Sequence, residues 1–531
     1  RTDPRIDTPT NSFGPSIGFA WSPQGGGRFM GNGRTVIRGG YRLLYDPPFY
    51  NIYLNVANAA PQVFLQSFTG VPAAAFPLQA VPTGPNVRTQ LASSLQTGVF
   101  DPRTQNQTTI APNFKPDIVH SWSLGVEREL TKNSAVEARY VGNHAERLFQ
   151  SVDGNPFIAD LQASFPNLVP PGVTPCPATQ QIGPGAGTDV GRVTCGNGVI
   201  RQRTNTGFSN YNGVQLEYRA NNLMKQLTLR TGYTYSKALD NVSEIFSTGV
   251  AGNTVAFPQN PVQPDRGEYS FSGLDYPHTW SLLVSEQLPF FKEQHGFTGH
   301  VLGGWGLSAN YFLQSGQRYT PSQVTGLAAA TATGDFYDNA FLGAFVGTDT
   351  ARPFLGNLSA PDTSVGIFGG DACALFGTGT EPICSPGLTN QLLSVNAINQ
   401  TGPDGTPVLV TNNQVRFIMN GGTAQSIFGT PFGNVQRNVA QDAISNIANV
   451  SISKLFRLNE RTSFEFRTSF VNVLNHPNYT SVDPFVEDAG ANPKAPFNGF
   501  GDPTVSNNVP GAINFPVSAS RRVIFGGTLR F

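Results

Sequence analysis

The side chains with the most chemical potential in this 531-residue chain are charged groups set singly beside aromatic, aliphatic or small neighbours. Arg38, Arg42, Glu127, Arg139, Glu217, Arg230, Glu465 and Arg467 are the clearest cases. Guanidinium and carboxylate groups placed this way can pair across strands, or meet a ligand moving along a wet wall. The first use is favoured, because hydrated walls are polar by default. Catalysis is not indicated. Neither a hydrolase nucleophile elbow nor a zincin helix is expected, and no carboxylate pair stands out for glycosidic chemistry. Gly183, Gly185 and Gly187 lie in a glycine-rich stretch with no following Lys or helical pattern, which reads as a loop and not a phosphate cradle. His278, after Asp275-Tyr276-Pro277, reads as a hydrogen-bonded rim residue and not a ligand. Asn475-His476-Pro477-Asn478 reads as turn punctuation. No catalytic residue, metal site or cofactor is therefore expected.

The four cysteines, Cys176, Cys195, Cys373 and Cys384, form two local pairs in Pro/Gly-rich surroundings. Four cysteines allow three connectivities. Closing the two short loops costs least entropy, so Cys176–Cys195 and Cys373–Cys384 are the expected bridges. The alternative is free thiols of a cytosolic protein. Zinc is disfavoured, because nothing stands at C-x-x-C spacing.

The elements that position these groups are strands. Leu227, Leu229, Thr231, Tyr233 and Tyr235 share one face, and Thr228, Arg230, Gly232, Thr234 and Ser236 the other. An arginine in mid-strand must point at water, so the opposite face must meet the apolar surroundings. Val214, Leu216 and Tyr218 alternate with Gln215, Glu217 and Arg219 in the same way, making a hairpin across 220–222. Similar alternation recurs around Tyr41, Trp122, Ala138, Trp280, Tyr311, Phe466 and the C-terminal residues, with weaker signals near 16–21 and 446–456. About twelve strands of membrane-spanning length are expected.

Composition agrees. Charged residues are 13%, where about 25% is usual for soluble domains. Aromatics reach 11%, and 58 Gly with 41 Pro point to many turns and long loops. Net charge is zero, and no basic stripe exists to neutralise phosphates, so no nucleic-acid partner is expected. No apolar run is long enough for a membrane helix.

Connections alternate in length. Short ones fall at 22–33, 131–133, 220–225, 288–303 and 458–462. Long ones fall at 46–116, 142–207, 238–277, 315–443 and 474–518. Outer-membrane barrels pair short periplasmic turns with long extracellular loops. If the C-terminus is periplasmic, every long segment and both cysteine pairs lie outside, and the long loops are the expected substrate-binding region. Trp21, Tyr45, Tyr140, Tyr235, Trp280 and Trp305 near strand ends would form interfacial girdles. The fold expected is an all-β, transmembrane, antiparallel up-and-down β-barrel. Gly526, Leu529 and Phe531 in the final alternating strand fit a barrel-assembly signal, while Ile524 stands where a polar residue is usual.

The stretches NSFGPSIGFAWSP (11–23), VHSWSLGVEREL (119–130), YVGN (140–143), YTYSKALD (233–240), GWGLSANYFLQSGQRYT (304–320) and FEFRTSFVNVLNHPNY (464–479) resemble TonB-dependent outer-membrane transporters of the Oar-like group. The resemblance implies a barrel of about 22 strands around a plug domain. About twelve strands here imply that residues 1–531 are the C-terminal part of one barrel domain. Plug, signal peptide and N-terminal strands would lie upstream. Arg1-Thr2-Asp3-Pro4 carries no signal-peptide features, which agrees. Implied partners are outer-membrane lipid, the barrel-assembly machinery, and a TonB-type energy-coupling protein reached through the N-terminal region. The charged wall could then touch the plug or passing substrate. The expected function is active uptake of a bulky ligand such as a peptide, protein or glycan, captured by the long loops. A passive porin or surface adhesin is the alternative. A soluble secreted β-protein is the third reading.

Overall fold

The computed structural model describes residues 12–25, 31, 33–47, 51–57, 103, 107–112, 114–180, 189–198, 200–223, 226–243, 258–323, 352–459, 461–479, 482–490, 500–501 and 520–531. Eleven strands form one antiparallel meander: β1 (Ser16–Trp21), β2 (Thr35–Asp46), β3 (Asp117–Thr131), β4 (Ser134–Asp153), β5 (Ile200–Leu223), β6 (Leu227–Asp240), β7 (His278–Gln287), β8 (Trp305–Gln314), β9 (Ser445–Arg457), β10 (Ser463–Val471) and β11 (Arg522–Arg530). Each pairs with its sequence neighbour, the up-and-down order that short turns and long returns dictate. Eleven is close to the expected twelve. The two weak signals at 16–21 and 446–456 are both strands.

Register keeps the two faces apart. One cross-strand row runs Trp21, Ile37, Val126, Ala138, Leu216, Tyr233, Trp280, Leu313. The adjacent row runs Ala20, Arg38, Gly125, Arg139, Gln215, Thr234, Thr279, Gln314. The first is almost wholly apolar and the second polar or small. A row that begins near the turn end of β1 and finishes at the loop end of β8 reports strongly tilted strands. The apolar face is turned outward: Ile17, Leu124 and Tyr235 are each more than half exposed. Such a surface, continuous from β1 to β8, suits hydrocarbon and not water. Glycines on it are covered by aromatic neighbours. A Cβ at Gly142 would lie 2.3 Å from the Trp122 ring.

Among the described residues the sheet does not close on itself. β1 pairs only with β2, and β11 only with β10.

Three expectations need correction. β4 runs on to Asp153 and β5 starts at Ile200, so the strands reach well into the expected loop 142–207. These extensions pair with each other above the apolar band, where both faces meet polar surroundings and alternation fades. The strand Gln107–Ile110 joins them in parallel. Tyr140 is therefore in mid-strand and not at an end. The turn 288–303 carries a helix, α1 (Gly296–Leu302). The glycine-rich stretch 183–187 lies outside the described residues. No helix among the described residues is long and apolar enough to cross a membrane.

The packed core is not in the meander. It lies in the excursion between β8 and β9, where Phe354–Leu355, Val365–Phe368, Leu392–Ser394 and Phe417–Ile418 form a four-stranded sheet. Helices α2 (Gly369–Phe376), α3 (Val395–Thr401) and α4 (Gly422–Phe428) pack around it. Arg318–Tyr319 pairs with Ala440–Gln441 as a two-stranded neck.

Candidate ligand-binding cap and charged wall

The long connections gather at one end of the meander. The excursion between β8 and β9 supplies Val365, Ile367, Leu393 and Phe417 to a fully buried cluster, and the connection after β10 supplies Val482, Val486 and Phe500 to the same cluster. The connection between β4 and β5 contributes Ile158, Leu161 and Val169, against which Val262 and Phe432 pack. Phe114, from the connection after β2, stacks on Phe149 with ring centroids 5.0 Å apart. The expected loops 46–116, 142–207, 238–277, 315–443 and 474–518 thus all contribute residues to this end, although each is described only in part. We call the body they build the cap.

Two bridges brace it. Cys176 is joined to Cys195, and Cys373 to Cys384. Among the described residues no free cysteine occurs.

A buried ionic network fastens the cap to the wall. Arg437 Nη2 donates to Asp240 Oδ1 at 2.6 Å, and its Nε lies 3.5 Å from Glu268 Oε2. Arg352 Nη2 donates to Glu268 Oε1 at 2.5 Å. All four side chains are buried. Asp240 ends strand β6, so the network ties the excursion directly to the meander. Asn438 extends it, donating from Nδ2 to Phe271 O and Ser243 Oγ. Gln259 accepts from the Arg352 and Gly433 backbone amides and donates to Gly433 O. None of these residues was singled out from the sequence. Lone charges in a long loop carry no periodicity, so their only signal is rarity. In a water-poor site, both guanidinium forks and the carboxylates they neutralise hold the elements in one arrangement.

Beside the neck is a cavity of about 570 Å³. Arg318, Tyr319, Asp362, Arg416, Phe417 and Gln436 are among its lining residues. Arg318 pairs with Asp275 at 3.0 Å and stacks over Phe271, and Arg416 pairs with Asp362 at 2.6 Å. The cavity offers donors, acceptors and aromatic faces together, which suits a polar ligand of mixed character.

Asp442, just beyond the neck, is a titrating element. Burial pushes its carboxyl up to about 6, opposed by the Ala443 amide that donates to it. The neighbouring Tyr319 phenol is also raised, by burial and then by Asp442. A carboxyl whose folded pKa exceeds its unfolded one binds its proton more tightly when folded. The contribution of Asp442 to the neck should therefore be greatest below about pH 4, and about 1–2 kcal/mol of it should be lost as pH rises to about 6. Amide-exchange protection at Arg318–Tyr319 and Ala440–Gln441, corrected for intrinsic rates, should show this loss. Asp442→Asn should remove it. A pH-independent native neck would refute the assignment.

Below the cap, the inner wall carries the charged residues expected there. Glu127, Glu137 and Glu217 stand directly opposite one another on β3, β4 and β5, and like charges so placed repel. Arginines interleave with them. Arg38 lies 3.2 Å and Arg219 2.5 Å from Glu127; Arg139 lies 2.5 Å from Glu137; Arg230 lies 3.0 Å from Glu217. Arg467 and Arg530 similarly flank Glu465, at 2.9 and 3.4 Å. Arg42 stands on the same face, opposite Ser16 and Ser121. Glu137 and Arg219 complete a set the sequence only partly named. Farther round, Glu217, Arg230, Ser281, Asn310, Phe312 and Asn449 help line a groove of about 410 Å³.

His278 is an exposed rim residue whose Nδ1 lies 2.7 Å from the Tyr233 hydroxyl. Asn472 and Asn475 adopt positive φ, and Asn472 Oδ1 accepts from the His476 amide, so that segment is a turn. Gly14-Pro15-Ser16-Ile17-Gly18 does spell the hydrolase pattern, contrary to expectation. Ser16, however, opens a strand of the meander opposite Arg42, where an elbow needs a strand-to-helix turn. Among the described residues no cluster of three or more His, Cys, Asp or Glu could hold a metal.

No curated protein matches the chain. Among solved structures, the outer membrane transporter YddB from Escherichia coli aligns with 96% of this chain and 39% of its own, at 9% identity and a TM-score of 0.37. The ferric-catecholate import receptor Fiu from E. coli K12 aligns with 97% and 34%, at 8% identity and 0.34. The FrpB iron transporter from Neisseria meningitidis (F3-3 variant) aligns with 97% and 39%, at 9% identity and 0.34. The chain thus spans well under half the length of these structures. A family model described as an outer membrane beta barrel domain matches residues 2–510.

Proposed function

The chain belongs to the outer membrane beta barrel domain family and resides in the outer membrane, and from that premise we propose that it is the wall and cap of an active transport receptor. The observation that carries this reading is the cap itself. It has its own buried core, two disulfides and an ionic anchor to the wall, and it stands over a charged inner face. A passive pore has no need of so preorganised a body at its mouth. The cap would face the exterior and capture a bulky ligand such as a peptide, protein or glycan. The inner wall would meet a plug domain or the passing ligand. Energy would come from a TonB-type coupling protein through a region outside this chain. We assign the chain no enzymatic role.

The two edges that are unpaired among the described residues support a further part of the reading: residues 1–531 contribute the C-terminal portion of one barrel domain, completed by further strands. Unpaired backbone in hydrocarbon costs several kcal/mol per group, so both edges call for partners.

The test uses the full-length protein and a panel of peptides and glycans. Replacing 321–439 with a short linker should abolish binding while the wall still assembles. Binding that survives the deletion sinks the capture role. Uptake that continues after a protonophore collapses the inner-membrane gradient favours the porin reading instead, and cell attachment without uptake favours the adhesin.

Gly526, Leu529 and Phe531 are proposed as the assembly signal. Val523, Phe525 and Leu529 stand opposite Phe470, Thr468 and Phe464 on the outward face, and Phe531 is almost fully exposed. Phe531→Ala should lower the heat-modifiable, folded fraction in the outer membrane several-fold. An unchanged folded fraction removes Phe531 from that role.

A further inference from the structure

The connection 288–304 differs in kind from its neighbours at the turn end. The other strand pairs there are joined through 22–34, 132–133, 224–226 and 458–462, whereas this segment folds the helix α1 between β7 and β8. Five of its exposed side chains are large and apolar, Phe290 and Phe291 in the approach, Phe297 and Val301 one turn apart in the helix, and Leu302 at its end, set among the exposed polar Lys292, Glu293, His295, Thr298 and His300. Phe297 is 86% exposed. Water gives no reason to display three phenylalanines on so short a segment.

The helix is held on the outward side of the wall. Lys454 stands opposite Trp305 on β8 and Phe466 on β10, so its side chain leaves the outward face. Its ammonium donates to His300 O at 2.6 Å, to Val301 O at 3.3 Å and to Gly303 O, gathering carbonyls that the end of α1 leaves unpaired. Trp305, also outward, donates from Nε1 to Val301 O at 3.0 Å. Gln294 fixes the other end. Its amide donates to Leu455 O and accepts from Arg457 N, filling the place of the next backbone residue along the edge of β9. Gly303 closes the packing, since a Cβ there would lie 2.1 Å from Phe291 O.

A cation on the outward face is costly in hydrocarbon, and here three carbonyls at the end of the helix, those of His300, Val301 and the capping Gly303, satisfy it. The apolar side chains of α1 continue the outward band through Trp305 and Leu307. A short helix that exposes Phe297, Val301 and Leu302 together with the polar Thr298 and His300, at the edge of a lipid-facing surface, has the mixed form of an interfacial anchor.

We propose that α1 is a membrane-interface anchor, bedding Phe297 and Val301 among the phospholipids of the leaflet at the turn end. This rests on the family's outward face being the lipid face, and on the turn end being periplasmic for the identity of that leaflet. The partner is the headgroup–acyl boundary of a phospholipid leaflet. The anchor would fix the depth and tilt of β7 and β8, the strand pair that leads into the cap.

The test uses single thiols in the full-length protein, reconstituted in phosphatidylethanolamine–phosphatidylglycerol vesicles. The four cysteines of this chain are consumed in disulfides, so nitroxide labels at Phe297→Cys and Val301→Cys report their own sites. Collision with oxygen should exceed collision with a water-soluble nickel chelate at both positions. A label at Arg461→Cys, in the turn 458–462, should show the reverse. A label at Leu216→Cys, on the wall, reports the lipid face independently. Lys454→Met should loosen the helix, raising the mobility of the Phe297 label and its nickel accessibility. Oxygen preference at Phe297 and Val301, relieved by Lys454→Met, supports the anchor. Nickel preference there with oxygen preference at Leu216 overturns it and leaves the barrel reading intact. Protection from both reagents with dipolar broadening between copies also overturns it, in favour of a second copy as occupant.

Discussion

Leu216→Arg should block insertion of the wall or cost it about 2–4 kcal/mol, while Thr234→Arg on the adjacent strand should change stability by no more than about 0.5 kcal/mol. Leu216 occupies the outward row between Ala138 and Tyr233. A guanidinium there would be carried into hydrocarbon with no partner within its row. Thr234 occupies the inward row between Gln215 and Thr279, where water solvates a new charge. The two sites are on neighbouring strands and similar in depth, so the contrast isolates the face. Folded fractions in phospholipid vesicles, read by heat-modifiable migration and urea titration, give the comparison. Equal penalties for both variants would mean that the sheet does not divide lipid from water along these rows.

Arg437→Ala should release the cap from the wall at a cost of about 3–5 kcal/mol, because it strands Asp240 as an uncompensated buried charge. Glu268 keeps Arg352 at 2.5 Å and is less affected. The loss should be local. Amide-exchange protection should fall across Phe354–Leu355 and Phe417–Ile418 and remain high through the centres of β5 and β6. Combining Arg437→Ala with Asp240→Asn should recover more than half of the loss, since the neutral amide no longer needs a cation. A single variant with native protection in the cap would show that the apolar cluster alone holds it. The prediction concerns removal of one partner only. A well-packed apolar replacement of the whole network could be neutral or stabilising.

The wall was legible from sequence because face parity is a local property. Each of the eleven strands announces itself through residues two apart, and even Ser16–Trp21 needed only six. Legibility stopped where parity lost its physical cause. Above the apolar band, Gln150, Ser151, Arg203 and Thr204 are polar on both faces yet paired in strands. Two opposite register shifts, one on each side of Leu148, interrupt the pairing beside Arg147, itself at positive φ, and hide the continuation. The inward charges were identifiable one by one, but their pairing depends on cross-strand register, so Arg219 bridging past β4 to Glu127 could not be read. The cap was illegible as a body because Val482, Val486 and Phe500 join its cluster from another connection altogether. The anchoring lysine was hidden for a different reason. Lys454 breaks the outward alternation, and only the helix it caps explains why.

The neck carries one further consequence. β8 and β9 are hydrogen-bonded along their whole shared length, from Trp305 opposite Lys454 to Gln314 opposite Ser445. The excursion between them enters and leaves through two adjacent residues on each side, Arg318–Tyr319 and Ala440–Gln441. Loop-closure entropy grows only as the logarithm of length, so a longer, shorter or unrelated insert would cost the hairpin little. The excursion can therefore vary in length and sequence without disturbing the β8–β9 pairing. Exchange would be limited at its contacts, where Arg437 meets Asp240 and where Val482, Val486 and Phe500 share the core, while the wall beneath stays bound to the thickness of the bilayer.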